Sequence, residues 1–189
     1  LHAITPLNAK EVRVVVGAGK DEVIAHLKEV SPTSRTVYQE VRGGTGHAVK
    51  LALENYNGSG SVLICAGDTP LLTSQTLSNL CAEHKSSKAS ATVLTTETPD
   101  PSGYGRVIRD NDGSLAQIVE ERDATESQKQ TFEINSGVYI FELDDLRTAL
   151  SQLGANNSQK EEYLTDAIAI LKKTGKNLLI LFNMKRIPL

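Results

Sequence analysis

One carboxylate stands where an α/β sheet would present it to a ligand. The apolar run from Val62 to Ala66 predicts a buried strand, and Gly67 and Asp68 follow it directly. Ligands of open α/β sheets bind beyond the carboxyl ends of the strands, and a carboxylate at that edge suits a Mg²⁺ ion that also touches nucleotide phosphates. An aspartate that only caps a helix or closes a turn is equally consistent with the residue alone.

Two glycine-rich segments precede predicted helices. Gly43 to Gly46 leads into a helix over 47–56, where glycines permit a close approach of backbone to a ligand and the free N–H groups of the helix start favour an anion. A tight turn explains that segment equally well. Gly17 to Lys20 lacks the spacing of both the dinucleotide fingerprint and the phosphate loop, so we expect only a strand-to-helix turn there.

Polar residues in the second half lie beside apolar segments. Gly105 belongs to a glycine-containing loop, Glu120 ends one apolar run and Asn135 begins another. Glu120 and Asn135 could exchange hydrogen bonds with sugar hydroxyls, although each alone is as consistent with a structural role. Tyr163 and Thr165 fall in an acidic segment that, taken alone, predicts the start of a helix, because carboxylates suit the positive end of the helix dipole.

Strand-like and helix-like segments alternate along the chain. In the first half we predict buried strands over 12–16 and 62–66, a further strand over 89–96, and helices over 21–30, 47–56 and 72–85. In the second half a turn at Asn111-Asp112-Gly113 predicts a hairpin, followed by strands over 135–141 and 178–182 and helices over 144–153 and 162–173. This alternation predicts a layered α/β domain with a mixed, mostly parallel sheet.

Bulk properties exclude several classes of protein. The 189 residues fit one domain, and a net charge of −3 gives no reason to expect nucleic acid as a partner. No apolar stretch approaches the roughly 20 residues that span a membrane, and no signal peptide is visible. Cys65 and Cys81 have no metal-ligand spacing; we expect both to be reduced, buried apolar side chains, as in a protein of the reducing cytoplasm.

The order and spacing of these segments together resemble a known family. They are similar to the N-terminal domain of the bifunctional N-acetylglucosamine-1-phosphate uridylyltransferase/glucosamine-1-phosphate acetyltransferases, over about His2 to Lys176. The resemblance is carried by Gln39, Gly43 to Ala48, Cys65 to Leu71, Gly103 to Arg106, Ile118 to Glu120, Asp123-Ala124-Thr125, Glu133 to Gly137 and Glu161 to Asp166.

The resemblance implies a Rossmann-like nucleotide-diphospho-sugar transferase fold with α/β/α layers, and a role for each matching residue. Nucleotide binding falls to Gln39, Gly44 and Thr45, and Mg²⁺ binding to Asp68. The N-acetylglucosamine 1-phosphate would be held by Gly105, Glu120, Asn135, Tyr163 and Thr165. The implied reaction transfers UMP from UTP to the sugar phosphate, giving UDP-N-acetylglucosamine, a cell-wall precursor, and pyrophosphate.

The sequence also departs from this pattern. The family's first strand, its Leu-Ala-Ala-Gly-x-Gly-Thr-Arg-Met loop and its C-terminal β-helix acetyltransferase domain do not occur in it, and Asn183 lacks the context of the family's second metal ligand. We therefore expect residues 1–189 to form a partial uridylyltransferase domain with little or no activity, and we do not extend the family's trimer to it. The alternatives are another sugar-1-phosphate nucleotidyltransferase or a non-catalytic sugar-phosphate-binding module.

Overall fold

A computed structural model describes residues 1–69 and 72–182 of the chain. The strands are β1 (Arg13–Val16), β2 (Arg35–Tyr38), β3 (Ser61–Cys65), β4 (Ala91–Glu97), β5 (Arg106–Arg109), β6 (Leu115–Val119), β7 (Glu133–Glu142) and β8 (Leu178–Phe182). The helices are α1 (Lys20–Val30), α2 (Thr45–Leu53), α3 (Ser74–Ser87), α4 (Glu126–Lys129), α5 (Leu143–Leu150) and α6 (Leu164–Lys173). The predicted helices and strands are all present, with ends shifted by a few residues.

Local signals explain where several helices begin. The Thr73 hydroxyl caps α3 by accepting a hydrogen bond from the Thr76 N–H, which satisfies one of the free donors of the first turn. A reciprocal pair of hydrogen bonds between Thr125 and Gln128 starts α4. Gly19 precedes α1 with a φ of 73°, a left-handed conformation that glycine adopts without strain. The segment from Gly17 to Lys20 is thus the strand-to-helix turn predicted for it.

The main sheet has six strands and is mixed, as predicted. Its order is β6-β5-β7-β4-β8, and β3 also pairs with β7. However, parallel pairing is not the majority in this sheet. Only β4 and β8 pair in parallel, because β7 runs against β3, β4 and β5, and β6 runs against β5. The insertion of β7 between strands of common direction was not visible from the alternation of strands and helices.

Strand pairing is interrupted along one edge of β7, between β3 and β5, and we call this gap the split in the sheet. While β4 follows β7 over its whole length, β3 pairs with β7 only from Val138 onward and β5 pairs with it at Ile134. The chain at Gly137 has a φ of 74°, and its carbonyl accepts a hydrogen bond from the Ala66 N–H at 3.0 Å. The carboxyl end of β3 and the amino end of β5 therefore diverge around residues 135–137.

Helices cover both faces of the main sheet. One face packs Val93 and Phe141 against α5 and α6, and the other packs Leu94 and Val138 against Leu77 of α3. Neighbouring residues of β4 thus point to opposite layers, as strand geometry requires. The α/β/α layering implied by the family resemblance is present.

The smaller sheet is less well packed. It contains only β1 and β2, paired in parallel, and of the four residues of β1 only Val16 is buried. The predicted burial of 12–16 and 62–66 is therefore wrong: β1 and β3 are largely half-exposed, and Cys65 is exposed. Within residues 1–69 and 72–182, β1 has only β2 and β3 has only β7 as a strand partner, so each has one edge that no other strand covers.

Candidate nucleotide and sugar-phosphate site

Gly105 and Asn135 meet where β3 and β5 diverge. The Asn135 N–H donates to the Gly105 carbonyl at 2.9 Å, which closes the start of β5 onto β7. A Cβ atom on the buried Gly105 would lie 3.3 Å from Glu120 Oε2 and 3.3 Å from Ile118 Cγ2. A side chain at this position would crowd the carboxylate, so glycine keeps space beside Glu120.

The carboxyl group of Glu120 is held by α6. The Thr165 hydroxyl, which is 2% exposed, donates to Glu120 Oε1 at 2.9 Å. Burial raises the pKa of Glu120, the Thr165 hydrogen bond partly offsets this, and the negative charges of Asp166 and Asp123 add to the increase. A partly buried carboxyl in this position is suited to accept hydrogen bonds from ligand hydroxyls.

Two contacts fix the orientation of the Asn135 side chain. Its Nδ2 donates to the Tyr139 hydroxyl at 2.5 Å, and its Oδ1 accepts from the Gly137 N–H at 3.1 Å. Tyr139 is 4% exposed, and burial raises the pKa of its hydroxyl. The sequence analysis did not include Tyr139, whose position in an apolar strand indicates only core packing.

Tyr163 lies at the start of α6 beside the turn at 121–123. Its hydroxyl accepts a hydrogen bond from Gln159 Nε2 at 2.8 Å, and burial, with the nearby charge of Asp123, raises its pKa. Asp123 Oδ1 in turn accepts from the Ser158 N–H at 3.0 Å. These contacts hold the loop before α6 over the Glu120 turn, so Tyr163 and Thr165 are brought to the same side as Glu120.

The residues assigned to the nucleotide surround the start of α2. Gln39 Nε2 lies 3.1 Å from the Gly44 carbonyl and 3.1 Å from His47 Nδ1. Gly44 has a φ of 98°, and the Thr45 hydroxyl accepts from the Leu164 N–H at 2.9 Å. The amide nitrogen of Gln39 thus supports the glycine loop, while Thr45 joins that loop to α6.

Asp68 lies in the exposed turn after β3. The adjacent Thr69 hydroxyl donates to the Ser136 carbonyl at 3.3 Å, which places this turn beside the split in the sheet, next to Asn135. In the described parts of the chain there is no cluster of three acidic, histidine or cysteine side chains that could hold a metal ion. A single carboxylate still fits Mg²⁺, which commonly takes one or two carboxylates and completes its shell with phosphates and water. Pro70, Leu71 and Asn183, also considered above, lie outside the described residues.

Two ion pairs around the site have no sequence signature. Lys50 Nζ lies 2.6 Å from Glu162 Oε1, and Arg106 Nη2 lies 2.6 Å from Glu121 Oε2. Arg106 is 2% exposed and also donates to the Tyr104 carbonyl. Because the Lys50 pair joins residues 112 positions apart, neither periodicity nor motif spacing could reveal it.

Known proteins match this chain over nearly its whole length. A sequence model described as nucleotidyl transferase matches residues 8–185. The chain belongs to the nucleotidyl transferase family. Within it, the chain is 47% identical over 178 residues to the bifunctional protein GlmU of Streptomyces coelicolor and 49% identical over 167 residues to that of Alkaliphilus metalliredigens. These matches confirm the resemblance to a bifunctional enzyme that motif order predicted.

The matches cover a much larger share of this chain than of the two relatives. The matches cover 93% and 88% of this chain but 37% and 36% of the two relatives, so the chain spans little more than a third of their length. Among solved structures, a chain from Bacillus anthracis provisionally described as a glucose-1-phosphate thymidylyltransferase is similar, with a TM-score of 0.74 at 18% identity. That similarity covers 96% of this chain and 71% of the other, and it confirms the fold of the family.

Proposed function

We propose that this domain transfers UMP from UTP to N-acetylglucosamine 1-phosphate. The observation that carries the proposal is the convergence of Gly105, Glu120, Asn135 and Thr165 at the split in the sheet. All four belong to segments that carry the resemblance to the bifunctional enzymes, and no covalent nucleophile is needed beside them. The identity of 47% to the Streptomyces coelicolor protein supports the same assignment.

The sugar phosphate is assigned to the pocket between Glu120 and Asn135. In the proposal, the Glu120 carboxyl accepts hydrogen bonds from sugar hydroxyls and the Asn135 side chain supplies a further polar contact. Thr165 and Tyr139 already hold these two groups in one orientation, so little side-chain freedom is lost on binding. A pocket of this kind rejects a sugar that lacks the matching hydroxyl, because a buried polar group would be left without a partner.

The nucleotide is assigned to the glycine loop before α2. Gly44 and Gly46 let this loop pack closely against Glu162, whose carbonyl takes up the Gly46 N–H, and the other N–H groups at the start of α2 suit phosphate. Because Gln39 Nε2 already bonds to the Gly44 carbonyl, the proposal leaves its carbonyl oxygen to accept the N3–H of uracil. The Thr45 side chain lies at the same helix start and contacts the nucleotide in this arrangement.

The proposed reaction is a single displacement at phosphorus. A phosphate oxygen of the sugar phosphate attacks the α-phosphorus of UTP; a new P–O bond forms, the bond between the α-phosphorus and its bridging oxygen breaks, and pyrophosphate leaves with the electron pair. Alignment and charge neutralisation supply most of the catalysis in such transfers. Asp68 would hold a Mg²⁺ ion, which would supply charge neutralisation at the phosphates, while the two loops hold the reactants in line.

We further propose that this reaction takes place in the cytoplasm and serves peptidoglycan synthesis. Two free cysteines, Cys65 and Cys81, are compatible with a reducing compartment. No helix in the described ranges is both long and apolar enough to cross a bilayer. The product would be a nucleotide sugar for later glycosyl transfer.

A substrate panel tests the proposal. The chain is incubated with Mg²⁺, one of UTP, CTP or dTTP, and one of N-acetylglucosamine, glucosamine or glucose 1-phosphate, and nucleotide sugars are separated by chromatography. The absolute rate is expected to be low, because the sequence predicts only a partial domain over residues 1–189, but UDP-N-acetylglucosamine should form at least about tenfold faster than any other product. Preference for another pair would contradict the assigned substrates, and calorimetric binding without any product would show a non-catalytic sugar-phosphate-binding module instead.

A further inference from the structure

One segment touches both halves of the proposed site. The segment 161–165 carries Thr165, which supports Glu120, and its backbone also pairs with the glycine loop before α2. The Glu162 N–H donates to the Gly43 carbonyl at 2.8 Å, and the Gly46 N–H donates to the Glu162 carbonyl at 2.7 Å. These two backbone hydrogen bonds join residues 43–46, here called the nucleotide loop, to residues 161–165, here called the sugar-phosphate loop. They pair the two segments as neighbouring strands are paired in a sheet.

The contact between the two loops leaves no spare space. A Cβ atom on Gly44 would lie 2.4 Å from the Glu162 carbonyl oxygen, and one on Gly46 would lie 2.5 Å from Leu153 Cδ1. The first of these neighbours is a backbone atom, which cannot rotate away. The position of Glu162 therefore sets the position of the glycine loop closely, and the reverse also holds.

A charged pair stabilises this contact. Lys50, one turn into α2 from Gly46, places its Nζ 2.6 Å from Glu162 Oε1, and the two side chains are 31% and 25% exposed. Glu162 Oε2 is buried without a hydrogen-bond partner in the described part of the chain. Loss of Lys50 would leave a partly buried carboxylate with still fewer partners, which is costly, so the loops would move apart.

We propose that Lys50 and Glu162 are positioning residues that fix the distance between the nucleotide loop and the sugar-phosphate loop. This inference rests on the proposed function, because it needs both ligands. Neither residue is assigned to a ligand; each acts through the loop that carries it. A displacement of about 1 Å between two loops is enough to weaken binding and alignment of reactants. Breaking the pair therefore weakens the binding of both ligands, whereas a change within one loop weakens mainly one.

A matched pair of variants tests the inference. Glu162→Gln removes the charge at the contact, and Asp145→Asn removes it from the Lys176–Asp145 pair, which has a similar length of 2.7 Å and lies outside both loops. Dissociation constants for UTP and for N-acetylglucosamine 1-phosphate are measured separately by calorimetry, alongside the melting temperature. We expect Glu162→Gln to raise both constants about five- to tenfold and Asp145→Asn to change neither. The doubly reversed variant, Lys50→Glu with Glu162→Lys, recovers part of the loss.

Each outcome decides between the two proposals. If the unaltered chain binds both ligands but Glu162→Gln changes only the melting temperature, the pair is merely structural and the inference is wrong. An effect on one ligand alone would also overturn it. If the unaltered chain binds neither ligand, the proposed function is wrong and the inference is lost with it. Lys50→Met provides a second way to break the pair if Glu162→Gln does not fold.

Discussion

The centre of the main sheet and the β1–β2 flank differ in how deeply they bury apolar side chains. In β4 every residue from Ala91 to Thr96 is buried, because helices cover both faces and β7 and β8 cover both edges. In β1, Arg13 to Val15 are only partly buried, although Val14 and Val15 are as apolar as Val93. Composition alone therefore does not distinguish a central strand from a flanking one; the number of covered faces and edges does.

The sugar-phosphate half and the nucleotide half of the candidate site differ in burial in the same way. Of the residues proposed to bind the sugar phosphate, Gly105, Tyr163 and Thr165 are buried in the packed body and Glu120 and Asn135 are partly buried. Thr45 of the proposed nucleotide half is exposed at the start of α2, the helix that contacts β1 and β2. A buried, hydrogen-bonded pocket is set before its ligand arrives, so it costs less to bind. The nucleotide loop depends instead on its contacts with the segment 161–165.

Removing an arginine from each region should give the largest contrast. Arg106 is 2% exposed and paired with Glu121, so Arg106→Met is expected to lower the free energy of unfolding by about 3–5 kcal/mol, as for one partner of a buried pair. Arg13 on β1 is 13% exposed, donates to the Ala52 carbonyl at 2.6 Å and pairs at 2.7 Å with Glu11. Because the Glu11 side chain is 25% exposed and can be solvated, Arg13→Met should cost only about 1–2 kcal/mol. Urea unfolding monitored by circular dichroism measures both, and equal losses would contradict the contrast.

The same valine truncation in both regions isolates packing from charge. Val93 is 1% exposed at the centre of the sheet, so Val93→Ala should lower the free energy of unfolding by about 1–3 kcal/mol, through lost burial and a residual cavity. Val14→Ala on the half-exposed β1 should cost less than about 1 kcal/mol. Thermal melts of the two variants compare them, and a larger loss for Val14→Ala would show that the flank is the better packed region.

Replacing Glu120 should change the stability less than the substitutions above, and should raise it rather than lower it. Its raised pKa means that Glu120 binds a proton more tightly in the folded chain than in the unfolded chain. The contribution of Glu120 to stability therefore falls as the pH rises from its pKa in the unfolded chain towards its pKa in the folded chain. Glu120→Gln is therefore expected to raise the melting temperature at pH 7, with the gain shrinking towards pH 4.

The control for this prediction is a carboxylate whose pKa is shifted in the opposite direction. Glu126 is exposed, and its hydrogen bond with Lys129 lowers its pKa, so Glu126→Gln should not stabilise the chain at pH 7. A stability profile for Glu120→Gln that runs parallel to that of the unaltered chain from pH 4 to 7 would show that burial of Glu120 carries no energetic penalty.

Local sequence signals predicted much of the fold. The strand over Leu178–Phe182 and the hairpin turn at Gly113 depend on neighbouring residues, so both were predicted from the sequence. β2 was missed because Arg35 to Tyr38 has no apolar run. The insertion of β7 into the sheet and the half-exposure of β3 depend on distant partners, which local patterns do not encode.

The site was predictable to the extent that it lies in motifs. Glu120, Asn135 and Thr165 were named from their segments, and the structure brings them together around the split in the sheet. By contrast, Tyr139, which orients Asn135, was not among the residues predicted from the sequence. The contact between Lys50 and Glu162 joins α2 to the loop before α6, and no single segment contains both partners. Residues that act on others across the fold therefore require the structure.

One measurement tests most directly whether the molecule holds a sugar-phosphate half-site in its packed body and a nucleotide half-site at its flank. Dissociation constants for UTP and N-acetylglucosamine 1-phosphate are determined by calorimetry for Gln39→Ala and for Thr165→Val. The account predicts that Gln39→Ala weakens UTP binding about tenfold, or ~1.4 kcal/mol, with little change for the sugar phosphate, and that Thr165→Val does the reverse. Loss of sugar-phosphate binding in Gln39→Ala, with UTP binding unchanged, would contradict it.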